Sequence, residues 1–189
     1  MFPQTESEMK KAQSLQVASA RLQALNVEHT LVLANAGDIY VDKYLDLVAT
    51  TVHVQQLAQR MHWNIKGRRF QSAHKFFQEV YEYLFDLQDK LAEKVKTITD
   101  ADIDASVFWE KRSLLKKTLS EFQGDDKYED VSDLYYAYLT FALSQLCVSV
   151  KELSRISVSE DDIGAQDLLP HIVNELTTWI WKARSSIRK

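Results

Sequence analysis

Residues 62–93 read HWNIKGRRFQSAHKFFQEVYEYLFDLQDKLAE and decide how this chain folds. The stretch carries two imidazoles, His62 and His74, and two carboxylates, Asp89 and Glu93. It belongs to a chain of 189 residues with only four Gly and two Pro, a composition that favours long helices joined by short turns. Imidazole and carboxylate are donors that suit iron and zinc, so the stretch indicates a metal site.

The second half of this stretch predicts one continuous helix, because it contains no Gly or Pro and Ser72 is placed to cap its first turn. At about 100° of rotation per residue, with His74 set at zero, Gln78 falls at about 40°, Asp89 at about 60° and Glu93 at about 100°. These side chains therefore share one face of the helix.

The length of that helix decides where a metal could bind. His74 and Asp89 are fifteen residues apart, which is about 22 Å along a helix axis. Metal–ligand bonds are about 2 Å long, so one ion cannot touch both side chains of one chain. Either these residues form no site, or two copies of the helix meet antiparallel, with the His end of one facing the Asp/Glu end of the other. A two-fold axis produces that arrangement and two equivalent sites per dimer.

His62 comes from a different helix. The residues before it have apolar side chains at helical spacing, and Gly67 with the two arginines after it predicts a turn. A hairpin of the two helices therefore brings His62 close to His74. The apolar positions of the first helix are Tyr44, Leu45, Leu47, Val48, Val52, Leu57, Ala58 and Met61.

These motifs resemble a known family. The tripeptide His62-Trp63-Asn64, the spacing of twelve positions from the first histidine to the second and the Asp-x-x-x-Glu pattern resemble the miniferritins called Dps, the DNA-binding proteins from starved cells. Asp167-Leu168-Leu169 and the segment from Leu176 to Trp181 look like the last helix of that family. The resemblance covers roughly residues 40 to 189, with a weaker fit between about 96 and 130.

The resemblance implies an all-α, ferritin-like four-helix bundle with a short crossover helix between the second and third helices. It further implies a homo-oligomer, a hollow dodecamer built from two-fold dimers, that oxidises Fe²⁺ with hydrogen peroxide or O₂ and stores ferric mineral. The iron sites would lie between two subunits, as the spacing of the ligands requires. Some members of the family also coat DNA.

Carried onto this chain, the resemblance places His62, Asp89 and Glu93 around the tighter of two iron positions and His74 at the second. The family usually has an Asp one turn after the second histidine, where this chain has Gln78. A neutral amide oxygen is a poorer iron ligand than a carboxylate and leaves the site with one negative charge fewer. Glu82, one turn further along, is the residue that could substitute.

Other residues have a structural and a functional interpretation. Trp63 is expected to pack in the core beside the site, with electron donation as the alternative. Asp167 matches the family position that lines a three-fold pore for iron, whereas capping of the last helix explains it nearly as well; Asp161 and Asp162 are weaker pore candidates. The C-terminal cations either interact with the helix dipole or bind DNA phosphates. They are Lys182, Arg184, Arg188 and Lys189.

The composition of the chain limits the classes of fold and function that it can have. With 46% hydrophobic residues the chain can bury the core of one domain, and it has no apolar run long enough for a membrane span. The N-terminus lacks a charged-then-apolar signal pattern, which predicts a cytoplasmic protein. The formal net charge of −4 disfavours DNA binding by the molecule as a whole. The single Cys147 is expected to be a small core residue.

We divide the chain into an N-terminal extension, residues 1–36, and a ferritin-like bundle domain, residues 37–189. Helices are predicted over about 39–64, 72–97, 130–157 and 165–187, with a helix-like segment over 106–122 in the crossover.

Three functions are consistent with the sequence. The first is a miniferritin with ferroxidase and iron-storage activity that protects against oxidative damage. The alternative is a ferroxidase-impaired Dps-like shell that acts mainly as a DNA-protecting or structural assembly. The third is a helical bundle that holds another metal, such as zinc, at one position.

Overall fold

The computed structural model describes residues 38–99, Ile103 and residues 130–188, and these contain four helices and no strand. Helix α1 is Asp38–Asn64, α2 is Phe70–Ile98, α3 is Val131–Ser159 and α4 is Ile163–Ser185. The four predicted helices and the all-α class are confirmed, with each boundary within two residues of its expected place. The expected N-terminal extension and the helix-like crossover segment lie outside the described residues. No helix in the described ranges combines the length and apolarity needed to cross a membrane.

The start of α2 differs from the prediction. Gly67 adopts a φ of 91°, a left-handed conformation that favours glycine, and the helix begins three residues later at Phe70. The N-cap is Arg69, whose side chain makes no capping bond. Ser72 was therefore wrong as the cap: it lies inside the first turn, where its hydroxyl donates to the Arg69 carbonyl.

One end of the bundle is held together by Arg69. Its guanidinium binds the Asp133 carboxylate, donates to the Ser132 hydroxyl at 2.9 Å and donates to the Ser186 carbonyl at 2.6 Å. The starts of α2 and α3 and the end of α4 therefore lie together, so α2 and α3 point the same way.

The opposite end is joined by Asp162, the N-cap of α4. Its carboxylate accepts from Lys94 Nζ at 2.8 Å, from the Tyr40 hydroxyl at 3.0 Å and from the Ala165 backbone N–H at 2.9 Å. Burial raises the pKa of this carboxyl, but these hydrogen bonds outweigh burial and leave the pKa below its usual value. Asp162, one of the weaker pore candidates, thus joins three helices.

The core is built from apolar side chains at helical spacing. On α2 they recur every three or four residues and form one buried stripe. Cys147 is buried among the apolar residues of α3, as predicted. The α2 stripe lies roughly opposite the face of His74, Asp89 and Glu93, so the candidate ligand face points away from the protomer core. The buried α2 residues are Ala73, Phe77, Val80, Leu84, Leu87, Leu91, Val95 and Ile98.

Candidate metal centre

The α1–α2 hairpin brings His62 and His74 into direct contact, which confirms the predicted proximity of the two imidazoles. Their rings stack with centroids 3.7 Å apart and planes 23° from parallel. Nδ1 of His62 lies 2.9 Å from the His74 carbonyl, and Nδ1 of His74 lies 2.9 Å from the His62 carbonyl. The two side chains therefore close the hairpin by a reciprocal pair of hydrogen bonds.

This pairing fixes the tautomer of both rings. A backbone carbonyl can only accept, so each Nδ1 must carry the proton and donate it. In the neutral imidazole the lone pair is then on Nε2, the nitrogen left to bind a metal. Histidine ligands commonly donate their other ring N–H to a carbonyl or carboxylate, which orients the ring and raises its basicity. Both histidines are thus preorganised as Nε2 ligands.

Aromatic rings flank the histidine pair on both sides. Phe70 stacks on His74 with centroids 4.8 Å apart, and Tyr81 meets His62 edge-on at 5.3 Å. Both imidazoles are half-buried. The four rings restrict how far either imidazole can turn, which adds to the orientation given by the carbonyl bonds.

The two carboxylates lie far from the histidines within one chain. Asp89 and Glu93 are exposed on α2, and α2 is an unbroken helix between His74 and both residues. The separation of His74 and Asp89 is thus about 22 Å along the axis. In the described part of the chain, no group of three or more His, Cys, Asp or Glu side chains is placed to hold a metal ion. The single chain therefore presents two of the four predicted ligands together.

Gln78 lies one turn after His74 and is already hydrogen-bonded. Its Nε2 donates to Glu82 Oε1 at 2.8 Å, and both side chains are on the outer face of α2. Glu82 also lines a shallow surface pocket of about 230 Å³ between α1 and α2. The pocket is formed by Gln55, Gln59, Tyr81, Glu82, Phe85 and Asp86.

The outer face is rich in exposed aromatic side chains. Trp63 is 66% exposed, so its expected place in the protomer core was wrong. It follows half-buried His62 by one residue, and a step of about 100° around α1 turns it away from the hairpin interior. Phe85 is 59% and Phe70 is 40% exposed, and both fall on the α2 face that carries the candidate ligands.

The remaining candidate residues lie elsewhere on the surface. Asp167 is exposed and is the fifth residue of α4; the capping explanation for it is wrong, because Asp162 caps this helix. Lys182 and Arg184 occupy the last turn of α4, where cations interact favourably with the helix dipole. The Lys182 ammonium also lies 4.3 Å from the centroid of the Trp179 ring. Arg188 is exposed, and Lys189 lies outside the described residues.

Two structural features were not predicted from the sequence. The reciprocal carbonyl bonds of the histidines depend on backbone positions that spacing does not specify. Arg69 was assigned only to a turn, whereas its partners come from residues more than 60 positions away. The acidic residues Asp130 and Asp133 at the start of α3 were the available signal for a half-buried cation.

The donor chemistry fits iron. Two imidazole nitrogens with free lone pairs and two exposed carboxylates form a set that Fe²⁺ accepts, and Zn²⁺ accepts the same donors.

Comparisons with known proteins show matches over most of the chain. The sequence model described as the ferritin-like domain matches residues 45–189. An uncharacterized low temperature-induced protein of Nostoc sp. (strain PCC 7120) is 29% identical over 147 residues, which are 77% of this chain and 74% of that protein. The DNA protection during starvation protein of Helicobacter pylori (strain J99) is 26% identical over 117 residues, 61% of this chain and 76% of that protein.

Solved structures share the fold at lower sequence identity. Dps from Thermosynechococcus elongatus superposes with a TM-score of 0.68 at 16% identity, over 82% of this chain and 96% of that one. The Dps protein from Vibrio cholerae O1, described as a member of a broad superfamily of ferritin-like diiron-carboxylate proteins, gives a TM-score of 0.67 at 19% identity. That match covers 81% of this chain and 91% of the other. The four helices therefore follow the same arrangement in these proteins.

Proposed function

Since this chain belongs to the ferritin-like domain family and is a Dps-like miniferritin, we propose that it oxidises Fe²⁺ with hydrogen peroxide or O₂ between paired subunits. We further propose that it stores the ferric product as mineral in a hollow shell, a dodecamer of two-fold dimers. The observation that carries this proposal is the His62–His74 pair. Its two Nδ1 protons are held by carbonyls, which leaves the two Nε2 atoms as the ring nitrogens that can bind a metal.

The complete site requires a second copy of the chain. When two α2 helices lie antiparallel about a two-fold axis, the His62–His74 pair of one protomer faces Asp89 of the partner subunit and Glu93 of the partner subunit. The face that would be covered carries Phe70 and Phe85, whose burial favours association at about 25 cal/mol per Å² of apolar surface. Each dimer then has two equivalent sites.

The predicted ligands would hold two Fe²⁺ ions in two different ways. His62 with the partner's Asp89 and the partner's Glu93 would hold the first Fe²⁺, and His74 would hold the second. Two ferrous ions supply the two electrons that hydrogen peroxide needs: 2 Fe²⁺ + H₂O₂ + 2 H⁺ gives 2 Fe³⁺ + 2 H₂O. The carboxylates favour the oxidised product, because their attraction to a cation grows with its charge.

Iron must also reach the interior of the shell. Asp167 is exposed on α4 and free of the capping role that Asp162 fills. Three copies of Asp167 around a three-fold axis would concentrate cations electrostatically, and we propose this residue as the lining of the entry pore.

Anaerobic loading with Fe²⁺ followed by hydrogen peroxide or O₂ tests the activity. We expect ferric absorbance to develop rapidly in the native protein and to fall to the background of free Fe²⁺ in His62→Ala and Asp89→Ala. His53→Ala is the matched control, because among the described residues His53 bonds within α1, to the Ala49 carbonyl. Native protein that oxidises iron no faster than His62→Ala would disprove the ferroxidase function.

The alternative is a ferroxidase-impaired shell that protects DNA or serves as a structural assembly. It is favoured by Gln78, which replaces a carboxylate and is hydrogen-bonded to Glu82. The exposed cations Lys182, Arg184 and Arg188 would provide phosphate contacts. DNA retention in a gel at physiological salt, together with no metal between subunits, would support this alternative. Zinc rather than iron in protein purified without chelator would instead support a zinc-binding bundle.

A further inference from the structure

We infer that Glu82 is a positioning residue for the second iron position: it orients the Gln78 amide so that Gln78 Oε1 faces the His74 side of α2. The inference rests on the proposed function, since it concerns the weaker of the two iron positions proposed above. It concerns the one ligand at which this chain departs from the family it resembles.

The hydrogen bond fixes the orientation of the amide. Gln78 is four residues after His74 and four before Glu82, so the two neighbours lie on opposite sides of it along one helix face. An ionised carboxylate only accepts, so the atom of Gln78 that faces Glu82 must be Nε2. The carbonyl Oε1 of the same amide diverges from Nε2 and therefore does not face Glu82, which leaves it available to a metal held by His74.

This orientation decides whether Gln78 attracts or repels a cation. An amide can present either a carbonyl oxygen or an NH₂ group, and only the oxygen is a metal ligand. A freely rotating Gln78 side chain would bind a metal ion more weakly, because binding would restrict its rotation and because the amide would often present its NH₂ group instead of its oxygen. The bond to Glu82 removes both effects and polarises the amide, which makes Oε1 more negative.

The resulting position differs in charge from its neighbour. Its ligands from this chain are neutral, His74 Nε2 and Gln78 Oε1, whereas the other position has two carboxylates from the partner. The negative charge nearest to this position on this chain is that of Glu82, which would not contact the metal but is hydrogen-bonded to its ligand Gln78. When Fe²⁺ is oxidised to Fe³⁺, the attraction between the ion and a neutral ligand increases less than the attraction between the ion and a carboxylate. This position is therefore suited to exchange iron rather than retain it.

Anaerobic Co²⁺ titration of the assembled full-length protein tests the inference, with binding followed by calorimetry and by the visible spectrum of the bound ion. We expect two positions per site of unequal affinity in the native protein. Glu82→Ala should weaken the weaker position by about tenfold or more, the usual cost of removing a residue that orients a ligand. The tighter position should change by less than the weaker one, because Glu82 is hydrogen-bonded to Gln78 and Gln78 belongs to the weaker position.

Two further variants separate orientation from a general effect of charge. Glu82→Gln keeps an oxygen that accepts from Gln78 Nε2 and should restore most of the lost affinity. Gln78→Asp should bind the second ion more tightly than the native protein, and adding Glu82→Ala to it should no longer weaken binding. Glu79→Ala is the matched control: Glu79 is exposed on the same helix, and its recorded ion pair is a 3.9 Å contact with Lys75.

The outcomes are distinguishable. If Glu82→Ala leaves the weaker position unchanged, or if Glu82→Gln is as weak as Glu82→Ala, the positioning role is wrong and the proposed function stands. A native protein that binds only one Co²⁺ per site overturns the positioning role as well. If no Co²⁺ binds in a manner sensitive to His62→Ala, the proposed function itself fails.

Discussion

His62 and His74 each donate Nδ1–H to the backbone carbonyl of the other, and their rings stack at 3.7 Å. The residues that close the α1–α2 hairpin are thus the residues whose Nε2 atoms are free for a metal. Local folding and ligand orientation depend on the same two hydrogen bonds, which makes their contributions measurable without any metal.

The first prediction concerns this reciprocal pair. In metal-free protein, His62→Ala and His74→Ala should each lower the free energy of unfolding by about 1–3 kcal/mol, because each leaves one carbonyl without its donor and removes the stack. The double variant should cost less than the sum of the single variants by about 1 kcal/mol, since either change breaks the same pair. Urea unfolding at fixed protein concentration measures this.

His53→Ala is again the control, because the recorded bond of this half-buried side chain is to its own helix. Strict additivity of His62→Ala and His74→Ala would show that the two bonds do not support each other.

The second prediction concerns acid stability. Since Asp162 has a pKa below its unfolded-state value of about 3.9, its contribution is present above that value and is lost as the pH falls through the folded pKa. Asp162→Asn keeps a capping residue but leaves Lys94 without its charge partner, and we expect a loss of about 2–4 kcal/mol at pH 7.

Urea unfolding between pH 7 and pH 2 measures this effect. The native protein should lose stability as the pH falls below about 4, whereas Asp162→Asn should show a shallower slope there. Asp161→Asn serves as the control, because Asp161 is exposed and its positive φ suits Asn. Equal slopes for native protein and Asp162→Asn would exclude Asp162 as a source of the acid sensitivity.

The third prediction concerns Arg69, which joins α2, α3 and α4. Arg69→Lys keeps the charge but cannot reach Ser132, Asp133 and Ser186 at once, because an ammonium lacks the planar fork of a guanidinium. We expect a loss of about 2–3 kcal/mol in unfolding free energy. Arg68→Lys, at the exposed neighbouring position, should change it by less than about 0.5 kcal/mol. Similar losses in both variants would contradict the role of Arg69.

Features that depend on residues close together in the chain could be predicted from the sequence, whereas contacts between distant residues could not. Helix bounds, the His62–His74 contact and the axial separation of Asp89 follow from local periodicity, and local periodicity predicted them. Cap preference suggested Ser72 as a cap and supplied one of the two explanations of Asp167, whereas Gly67 and Asp162 decide where those helices start. The clusters around Arg69 and Asp162 join segments far apart in the chain, and nothing in the local pattern specifies such pairings.

The fourth prediction concerns the face through which two copies would meet. Phe85 is 59% exposed and lies on the same side of α2 as His74 and Asp89. Phe85→Glu would place two new carboxylates near the two-fold axis of an α2–α2 dimer, beside Glu82 and Asp86, and their repulsion should dissociate it. Sedimentation of the purified variant should show smaller species, and Co²⁺ binding should weaken because each site takes Asp89 and Glu93 from the partner.

Val148→Glu is the control for this experiment, because Val148 is an exposed apolar residue on α3, away from the proposed ligand face. It should retain both the native sedimentation and the binding of Co²⁺. Circular dichroism should show native helix content in Phe85→Glu. The loss of Co²⁺ binding is then caused by dissociation of the subunits and not by unfolding. A dissociated, folded Phe85→Glu protomer that still binds Co²⁺ with native affinity would mean that one chain supplies the whole site. That result is incompatible with the continuous helix from His74 to Asp89, because a separation of fifteen positions holds the two side chains about 22 Å apart.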